Sequence, residues 1–202
     1  MNKKQGNTQR LAVLAVLTAI VIILQAAVVI PLGPFTVTLT MLPIIIGAIM
    51  YGPLGGAVLG TVFGVVVSIQ VLTGAAGAFS TAMLEYQPAA TILICLLKGI
   101  AAGLAAGAFF RLFRKASFYL GVIMAAVIAP VVNTGIFSVG CLTIFRSLIQ
   151  DALGTGSNLL LVFLTTFIGL NFLVEFGINV ALTPVVMRIF RAVKLEPAKA
   201  AG

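Results

Sequence analysis

The chain has 202 residues, of which 61% are hydrophobic and only 8% are charged, with a mean hydropathy of +1.25. Because an average soluble domain carries about 25% charged residues, this composition excludes a soluble fold and indicates an integral membrane protein. Lys and Arg exceed Asp and Glu by twelve to four, giving a net charge of +8. The basic residues sit at the ends of apolar runs, as the positive-inside rule requires, so we expect no nucleic-acid partner.

The residue types available exclude most enzyme chemistry. The sequence has no histidine, and its only carboxylate side chains are Glu85, Asp151, Glu175 and Glu196. Histidine-based triads and histidine metal sites are therefore excluded. The sequence also lacks the phosphate-binding loop G-x-x-x-x-G-K-[ST], so we expect that the chain does not hydrolyse ATP through such a loop. We expect neither catalysis nor a bound cofactor or metal.

Apolar runs separated by proline and glycine predict the elements in chain order. We predict six transmembrane helices at about residues 11–30, 37–50, 54–72, 88–110, 118–145 and 158–187. Tyr51-Gly52-Pro53 is predicted to be a tight turn, with the proline opening the next helix. The expected fold is one all-α transmembrane domain over residues 1–202.

The basic residues predict the orientation of this bundle. Three lie in the N-terminal segment, three follow the fourth helix, and four lie in the C-terminal tail, whereas Arg146 lies on the opposite side. Because Lys- and Arg-rich segments stay in the cytoplasm, both termini are predicted to be cytoplasmic. We expect the protein in the plasma membrane of a prokaryote.

Small residues recur every three or four positions in several helices. Glycines spaced by four occur at Gly52, Gly56, Gly60 and Gly64, and again at Gly99, Gly103 and Gly107. Such faces let backbones approach closely in lipid, so we predict internal packing, with a subunit contact as the alternative. In the first helix, a stripe of small residues is formed by Ala12, Ala15, Ala19 and Ala26. This alanine stripe could seat a helix of another protein.

The last helix carries the most informative polar pattern. Asn171, Glu175 and Asn179 recur every four residues in an apolar run. A carboxylate is costly in hydrocarbon, so this face is expected to point to the bundle interior or a water-filled cavity. One interpretation is a ligand or ion-coupling site, and the other is an internal hydrogen-bond clamp, for instance with Lys98. That lysine could alternatively reach the membrane interface or bind an anionic group of a ligand.

Further polar residues are predicted toward the outer half of the bundle. Asn133 follows Pro130 in the fifth helix, and Tyr86 and Gln87 precede the fourth. Gln25 and Gln70 lie near the outer ends of the first and third helices. This placement suits a pocket open to the outside and capped by residues 73–87.

In their order along the chain, these motifs resemble the substrate-binding S component of energy-coupling factor (ECF) vitamin transporters. The resemblance covers most of the chain. It rests on Ala15-xxx-Ala19, the segment 33–40 with Pro43 and Gly47, the segment 52–57 with Gly60 and Gly64, Lys98-Gly99 before Gly103, and the segment 171–175 with Asn179 and Pro184.

The resemblance implies a division of labour. An S component captures a vitamin from outside and associates through its first helix with a membrane coupling subunit that carries two ATPases. Carried over here, Ala15 and Ala19, with Ala12 beside them, would lie at the partner contact. The ligand would lie between the fourth to sixth helices and the outer loops. The expected partners are thus the vitamin, the coupling subunit, the ATPases and the bilayer.

The polar set looks most like the pantothenate-type branch. The candidate ligand-binding residues are Lys98, Tyr86, Gln87, Asn133, Asn171, Glu175 and Asn179. One cation and several amides would suit a flexible polar acid. The absence of Trp and the presence of only three Tyr disfavour riboflavin or folate, although fourteen Phe could stack on a ring system. The family commonly has Arg near the position of Lys98, and Lys does not offer bidentate carboxylate recognition.

Two other functions remain open from the sequence. A stand-alone secondary transporter or channel would use Glu175 as an ion or proton site, but the chain shows no convincing internal repeat. A membrane assembly protein would bind no ligand at all. A membrane enzyme is disfavoured because no paired carboxylates occur at catalytic spacing.

Overall fold

The computed structural model describes residues 3–27, 30–32, 35–37, 39–153 and 169–192. Their helices are α1 (Lys3–Ala27), α2 (Met41–Leu72), α3 (Ala78–Tyr86), α4 (Pro88–Phe113), α5 (Phe118–Thr143), α6 (Arg146–Leu153), α7 (Leu170–Ala181) and α8 (Thr183–Ala192). In this part of the chain, four helices are long and apolar enough to cross a membrane: α1 from Gln9 onward, α2, α4 and α5. The predicted helical membrane fold is confirmed at this level, whereas the count of six spans and the cytoplasmic termini stay predictions.

A small β-hairpin separates α1 from α2, where the sequence predicted only helix ends. Strands β1 (Ile30–Leu32) and β2 (Phe35–Val37) pair antiparallel, with Ile30 opposite Val37. The predicted helix boundaries at residues 30 and 37 are therefore wrong, since α1 ends at Ala27 and α2 begins at Met41. The physical reason is local: Pro31 has no amide proton to donate to a helix, and Phe35-Thr36-Val37 favours extended backbone.

The predicted turn at Gly52 reverses the chain within α2. Gly52 has φ 77° and ψ −166°, a conformation that glycine adopts without steric cost. Gly47 lies against Leu59, and Ala48 lies against Gly56, although each pair would be more than about 10 Å apart in a continuous helix. The first half of α2 (41–51) therefore folds back on its second half (53–72). This first half is almost entirely buried.

The glycine faces of α2 and α4 lie inside the bundle. A Cβ atom on Gly56 or Gly60 would collide with the backbone of Gly103 or Gly99, respectively. Residues of α4 and of the second half of α2 thus contact each other backbone to backbone. The predicted internal packing is confirmed, and the alternative of a subunit contact at these glycines is wrong because no side of them is left accessible. Gly107 makes the same kind of contact with Pro53.

Two segments predicted as connections contain short helices. The connection 73–87 holds α3, whose Phe79 and Met83 are buried, and the connection 146–157 holds α6, whose Ile149 is buried. These side chains form a cluster with Ile94 and Cys141 at one end of the bundle. These connections contain helices because their apolar residues recur at helical spacing and pack on the bundle end.

The predicted last helix is only partly described. Residues 158–168 of the prediction lie outside the described residues, and α7 and α8 follow them. The two helices meet at Leu182, just before Pro184, which cannot donate a backbone hydrogen bond in a helix interior. Val186 of α8 packs into the main core with residues of α5.

Candidate functional site

The alanine stripe of α1 faces outward. Ala12, Ala15, Ala19 and Ala26 are all exposed, whereas the opposite face of the helix is buried at Leu17, Val21 and Gln25. Since α1 is a membrane span, this exposed stripe faces lipid or another protein. Its small side chains would let another helix come close.

An apolar groove lies beside the alanine stripe, between α1 and α2. It has a volume of about 570 Å³, and it is lined by Thr18, Ile22, Val58, Thr61, Val62, Val65, Val66 and Ile69. This lining offers few polar atoms, and both threonine positions are surrounded by branched aliphatic residues. The groove therefore does not suit a water-soluble ligand, although it could seat apolar groups.

Gln25 and Gln70 hold α1 against the rest of the bundle. The Nε2 of Gln25 donates a hydrogen bond to the Oε1 of Gln70 at 2.8 Å, and the Oγ1 of Thr40 donates to the Oε1 of Gln25 at 2.9 Å. The Nε2 of Gln70 donates in turn to the backbone oxygen of Gln25 at 2.8 Å. We call Gln25, Thr40 and Gln70 the polar clasp. Its mutual hydrogen bonds give the two glutamines a structural role rather than a place in the ligand site.

Lys98 is half-buried in the middle of α4 and faces two phenyl rings. Its Nζ lies 5.8 Å from the ring centroid of Phe63 and 5.2 Å from that of Phe137. Such cation–π contacts contribute about 0.5–2 kcal/mol, whereas a lysine at the centre of a membrane helix costs about 2.5–3.5 kcal/mol on insertion scales. Among the described residues, no carboxylate pairs with this ammonium. An internal clamp that involves Glu175 therefore stays a prediction, since no ion pair with Lys98 occurs among the described residues.

Asn133 is buried in α5 with part of its amide unpaired. It is 8% exposed, and its Oδ1 is the buried side-chain oxygen that has no hydrogen-bond partner among the described residues. An unsatisfied buried acceptor costs about 1–3 kcal/mol. The Oδ1 of Asn133 can thus accept a hydrogen bond from a group outside the described part of the chain.

The packing of α4 on α5 brings Lys98 and Asn133 to neighbouring levels. The two helices run antiparallel, and Gly140 of α5 lies against Ile94 of α4. One turn along α4 from Ile94 is Lys98, and one turn back along α5 from Gly140 is Phe137, whose ring the lysine faces. Asn133 is one further turn along the same α5 face.

The polar face of α7 turns inward at a similar depth. Glu175 is 7% exposed and Asn179 is 3% exposed, and the Nδ2 of Asn179 donates to the backbone oxygen of Glu175 at 2.8 Å. Phe172, one turn before Glu175, packs against the cluster that contains Cys141. Phe137 of α5 packs against the same cluster, so Glu175 lies about one helical turn further along its helix from the level of Phe137. We call Lys98, Asn133 and Glu175 the polar layer.

Three predicted ligand residues are not brought to this layer by the described structure. The side chain of Asn171 lies outside the described residues. Tyr86 is 49% exposed, and its hydroxyl accepts a hydrogen bond from the Oγ of Ser147 at 2.8 Å. Gln87 is exposed beside the start of α4, about 16 Å along that helix from Lys98. A ligand contact of these residues stays a prediction.

The sequence did not predict that the rings of Phe63 and Phe137 face Lys98. Phe137 follows Asn133 by four residues, so its place on the same helix face could have been inferred from the spacing. Phe63 gave no such signal, because only the glycine contacts of α2 with α4 bring its ring to Lys98. Chemically, the layer offers an ammonium donor, an amide acceptor and a carboxyl group, which suits ligand binding.

Comparison with known proteins supports a transport subunit. The family model of the ECF transporter substrate-specific component matches residues 9–187. The match spans the alanine stripe, the polar clasp and the polar layer. No curated protein matches the sequence. Because the family model covers most of the chain, the protein belongs to the family of ECF transporter substrate-specific components, which are substrate-binding transport subunits of the cell membrane and not enzymes.

Proposed function

We propose that the protein captures a water-soluble vitamin from outside and that partner subunits drive its uptake with ATP. The observation that carries this proposal is the buried, unpaired Oδ1 of Asn133 inside the bundle of an ECF substrate-specific component. A ligand that donates a hydrogen bond there would remove the cost of an unsatisfied acceptor. The binding site would lie between α4, α5 and α7.

Pantothenate is the vitamin that we propose. It is a flexible acid that carries one carboxylate, one amide and two hydroxyl groups. These groups would match the ammonium of Lys98 and the amides of Asn133 and Asn179, together with Asn171. Riboflavin and folate are the alternatives, and the rings of Phe63 and Phe137 would be their stacking partners.

A thermal-shift screen of water-soluble vitamins tests the proposal on the purified full chain in detergent. A ligand that binds only the folded state stabilises it by about 2.7 kcal/mol at 100 times its Kd. We expect pantothenate to raise the Tm, and Asn133→Leu to remove that rise. The matched control is Thr143→Ala, an exposed position of the same helix, which should leave the ligand-induced shift unchanged. A screen in which no vitamin raises the Tm would contradict the proposal.

The partner contact is proposed to lie on the alanine stripe. Support comes from the exposure of Ala12, Ala15 and Ala19 on a membrane helix whose opposite face is buried. The coupling subunit would place a helix on this stripe and could use the neighbouring apolar groove for larger side chains. Two ATPases attached to that subunit would supply the energy.

Stand-alone transport coupled to an ion gradient is a second candidate. The observation in its favour is the buried Glu175 in the polar layer, because intramembrane carboxylates often bind protons or cations. Proteoliposomes that contain only this chain distinguish the two functions. Uptake driven by a proton or sodium gradient, and lost in Glu175→Gln, would favour the second candidate over the first.

A further inference from the structure

The end of the bundle that carries Arg10 and Arg111 combines two positive charges with the apolar groove between α1 and α2. We infer that this end binds one anionic phospholipid, whose phosphate lies between the two arginines and whose acyl chain lies in the groove. The inference does not rest on the proposed function, because it uses neither the polar layer nor a vitamin. It concerns the isolated chain, since a coupling subunit that entered the groove would displace the acyl chain.

The first step is that two arginines from distant parts of the chain meet at the reversal within α2. A Cβ atom on Gly52 would collide with the guanidinium group of Arg111, so this group lies directly against the turn. Arg10 of α1 lies close enough to Tyr51 for its positive charge to act on the tyrosine hydroxyl. Both arginines are exposed. Because two guanidinium groups beside one turn repel each other, an anion between them is stabilising.

The second step is that the described residues supply no acidic side chain at this end. Their carboxylates belong to Glu85, Asp151 and Glu175. Helices α3 and α6, which carry the first two, pack around Ile94, and Ile94 lies about 25 Å along α4 from Arg111. Glu175 is buried in the polar layer. The counter-charge for the two arginines must therefore come from outside the described part of the chain.

The third step is that the apolar groove continues to the same end of the bundle. Val58 and Val65 line the groove, and Leu54, which is 77% exposed, lies one turn before Val58 on the same face of α2. On α1, Leu11 is 68% exposed and lies seven positions before the lining residue Thr18. The helix from Leu54 to Val65 spans about 16 Å, which matches half of the roughly 30 Å hydrocarbon core of a bilayer. The groove therefore suits one acyl chain whose headgroup lies beside the arginines.

The fourth step is the choice among anions. Soluble phosphate would contact the arginines but leave the groove unfilled, and an acidic peptide would have to enter the bilayer, because α1 and α2 are membrane spans. A phospholipid satisfies both features, since its phosphate accepts bidentate hydrogen bonds from guanidinium groups and its chain packs on aliphatic side chains. A zwitterionic headgroup brings a cation that the arginines repel. Anionic lipids are also concentrated in the cytoplasmic leaflet, where the positive-inside rule places this end.

Site-specific fluorescence quenching tests the inference on the full chain in phospholipid vesicles. The chain has no Trp, so Leu54→Trp places a single reporter at the arginine end of the groove. Lipids with brominated acyl chains quench a Trp that they contact. We expect brominated phosphatidylglycerol to be preferred over brominated phosphatidylcholine about 5- to 30-fold, as for one or two arginine contacts. The control reporter is Ile123→Trp on the exposed face of α5, which should show no such preference.

Charge variants in the Leu54→Trp chain separate the two arginines from the general charge of this end. Arg10→Gln together with Arg111→Gln should remove the preference for phosphatidylglycerol. Lys115→Gln, which changes an exposed lysine at the same end, should retain it. If the double variant does not fold, Arg10→Gln alone decides, and it should lower the preference about 5-fold. Soluble glycerol phosphate at the concentration of the brominated lipid should not compete, because it has no acyl chain.

Several outcomes would overturn the inference. Equal preference at both reporters, or an equal loss in Lys115→Gln and Arg10→Gln, would show attraction by general charge alone. Competition by glycerol phosphate would show a phosphate site that does not use the groove. If phosphatidylglycerol is not preferred, and polyglutamate raises the Tm of the unchanged chain but not that of the double arginine variant, the surface binds an acidic protein instead. None of these results bears on vitamin capture, which the vitamin screen tests separately.

Discussion

The glycine faces of α2 and α4 and the alanine stripe of α1 are both built from small residues at helical spacing, but they lie on opposite sides of their helices relative to the bundle. The glycines recur every four positions, and the alanines recur at intervals of three, four and seven. The glycines meet backbone to backbone inside the bundle, whereas Ala15 and Ala19 remain exposed. Small residues at helical spacing therefore indicate a surface that can approach another helix closely. They do not say whether that helix belongs to the same chain.

The most disruptive way to test this contrast is to fill the glycine contact. A leucine at Gly60 would collide with the backbone of Gly99, which cannot yield as a side chain can. We expect Gly60→Leu to destabilise the protein by more than about 3 kcal/mol, beyond the usual cost of overpacking, and to prevent recovery of folded protein. Gly135→Ala is the matched control, because nothing lies within 4 Å of the added atom. A monodisperse Gly60→Leu protein with an unchanged Tm would contradict the packing described for α2 and α4.

Bulky side chains on the alanine stripe, unlike those at the glycine contact, should not affect folding. We expect the double variant Ala15→Trp and Ala19→Trp to fold with an unchanged Tm, because both positions are exposed. The proposed docking to the coupling subunit should be lost, since the bulky rings prevent close helix approach. The measurement is uptake by cells that also express the coupling subunit and the ATPases, together with vitamin binding by the purified chain. Uptake should fall by at least about 10-fold while binding persists, as expected for loss of a central interface contact.

A bulky residue elsewhere on α1 serves as the control for that variant. Val16 is 59% exposed and lies about 100° around the helix from Ala15. Val16→Trp should therefore leave uptake intact. If it lowers uptake as much as the double variant does, the partner contact is not confined to the stripe.

The polar clasp holds the face of α1 that lies opposite the alanine stripe against the bundle. Gln25→Leu would leave the Thr40 hydroxyl and the Oε1 of Gln70 without their partners. Because unsatisfied buried polar groups cost about 1–3 kcal/mol each, we expect a loss of about 2 kcal/mol in thermal unfolding experiments. Adding Thr40→Val should restore part of the stability, since an apolar pair is nearly neutral. A further loss in that double variant would show that the clasp does not act as described.

The smallest effect is expected at a position outside both small-residue faces. Tyr86→Phe removes the hydrogen bond from Ser147 at an exposed site. We expect a loss of less than about 1 kcal/mol, as is usual for a hydrogen bond that water can replace. Ser147→Ala should cost a similar amount, and the double variant should cost no more than either change alone. Additive losses would indicate that the two residues act independently.

Part of the candidate site could be read from residue spacing. Asn133, Glu175 and Asn179 were singled out as polar residues in apolar helices, and all three are buried. Their burial follows from the cost of exposing such groups to lipid, which any membrane helix must meet. Lys98 was also identified, but its surroundings were not. The two rings that face Lys98 come from α2 and α5, and nothing in the local sequence of α4 indicates which residues pack beside this lysine.

The fold, like the site, could be predicted where it depends on neighbouring residues and could not be predicted where it depends on contacts between distant ones. Gly52-Pro53 determined the reversal within α2, because only glycine adopts that φ readily and proline is suited to begin a helix. The hairpin formed by β1 and β2 was not predicted, since two strands of three residues carry too little periodic signal. Helices α3 and α6 were not predicted because each is short and is stabilised by packing on the bundle end.

Residue types and their order along the chain are enough to establish a helical membrane protein and to show which of its side chains are too polar for lipid. These properties depend on the cost of transferring each residue to hydrocarbon, which is local and additive. Tertiary packing alone places the glycines inward and the alanines outward, and it sets Lys98 between two rings, with no carboxylate paired to it in the part of the chain that the structure describes. Those outcomes depend on which helices pack together, because a close contact requires complementary surfaces on both partners.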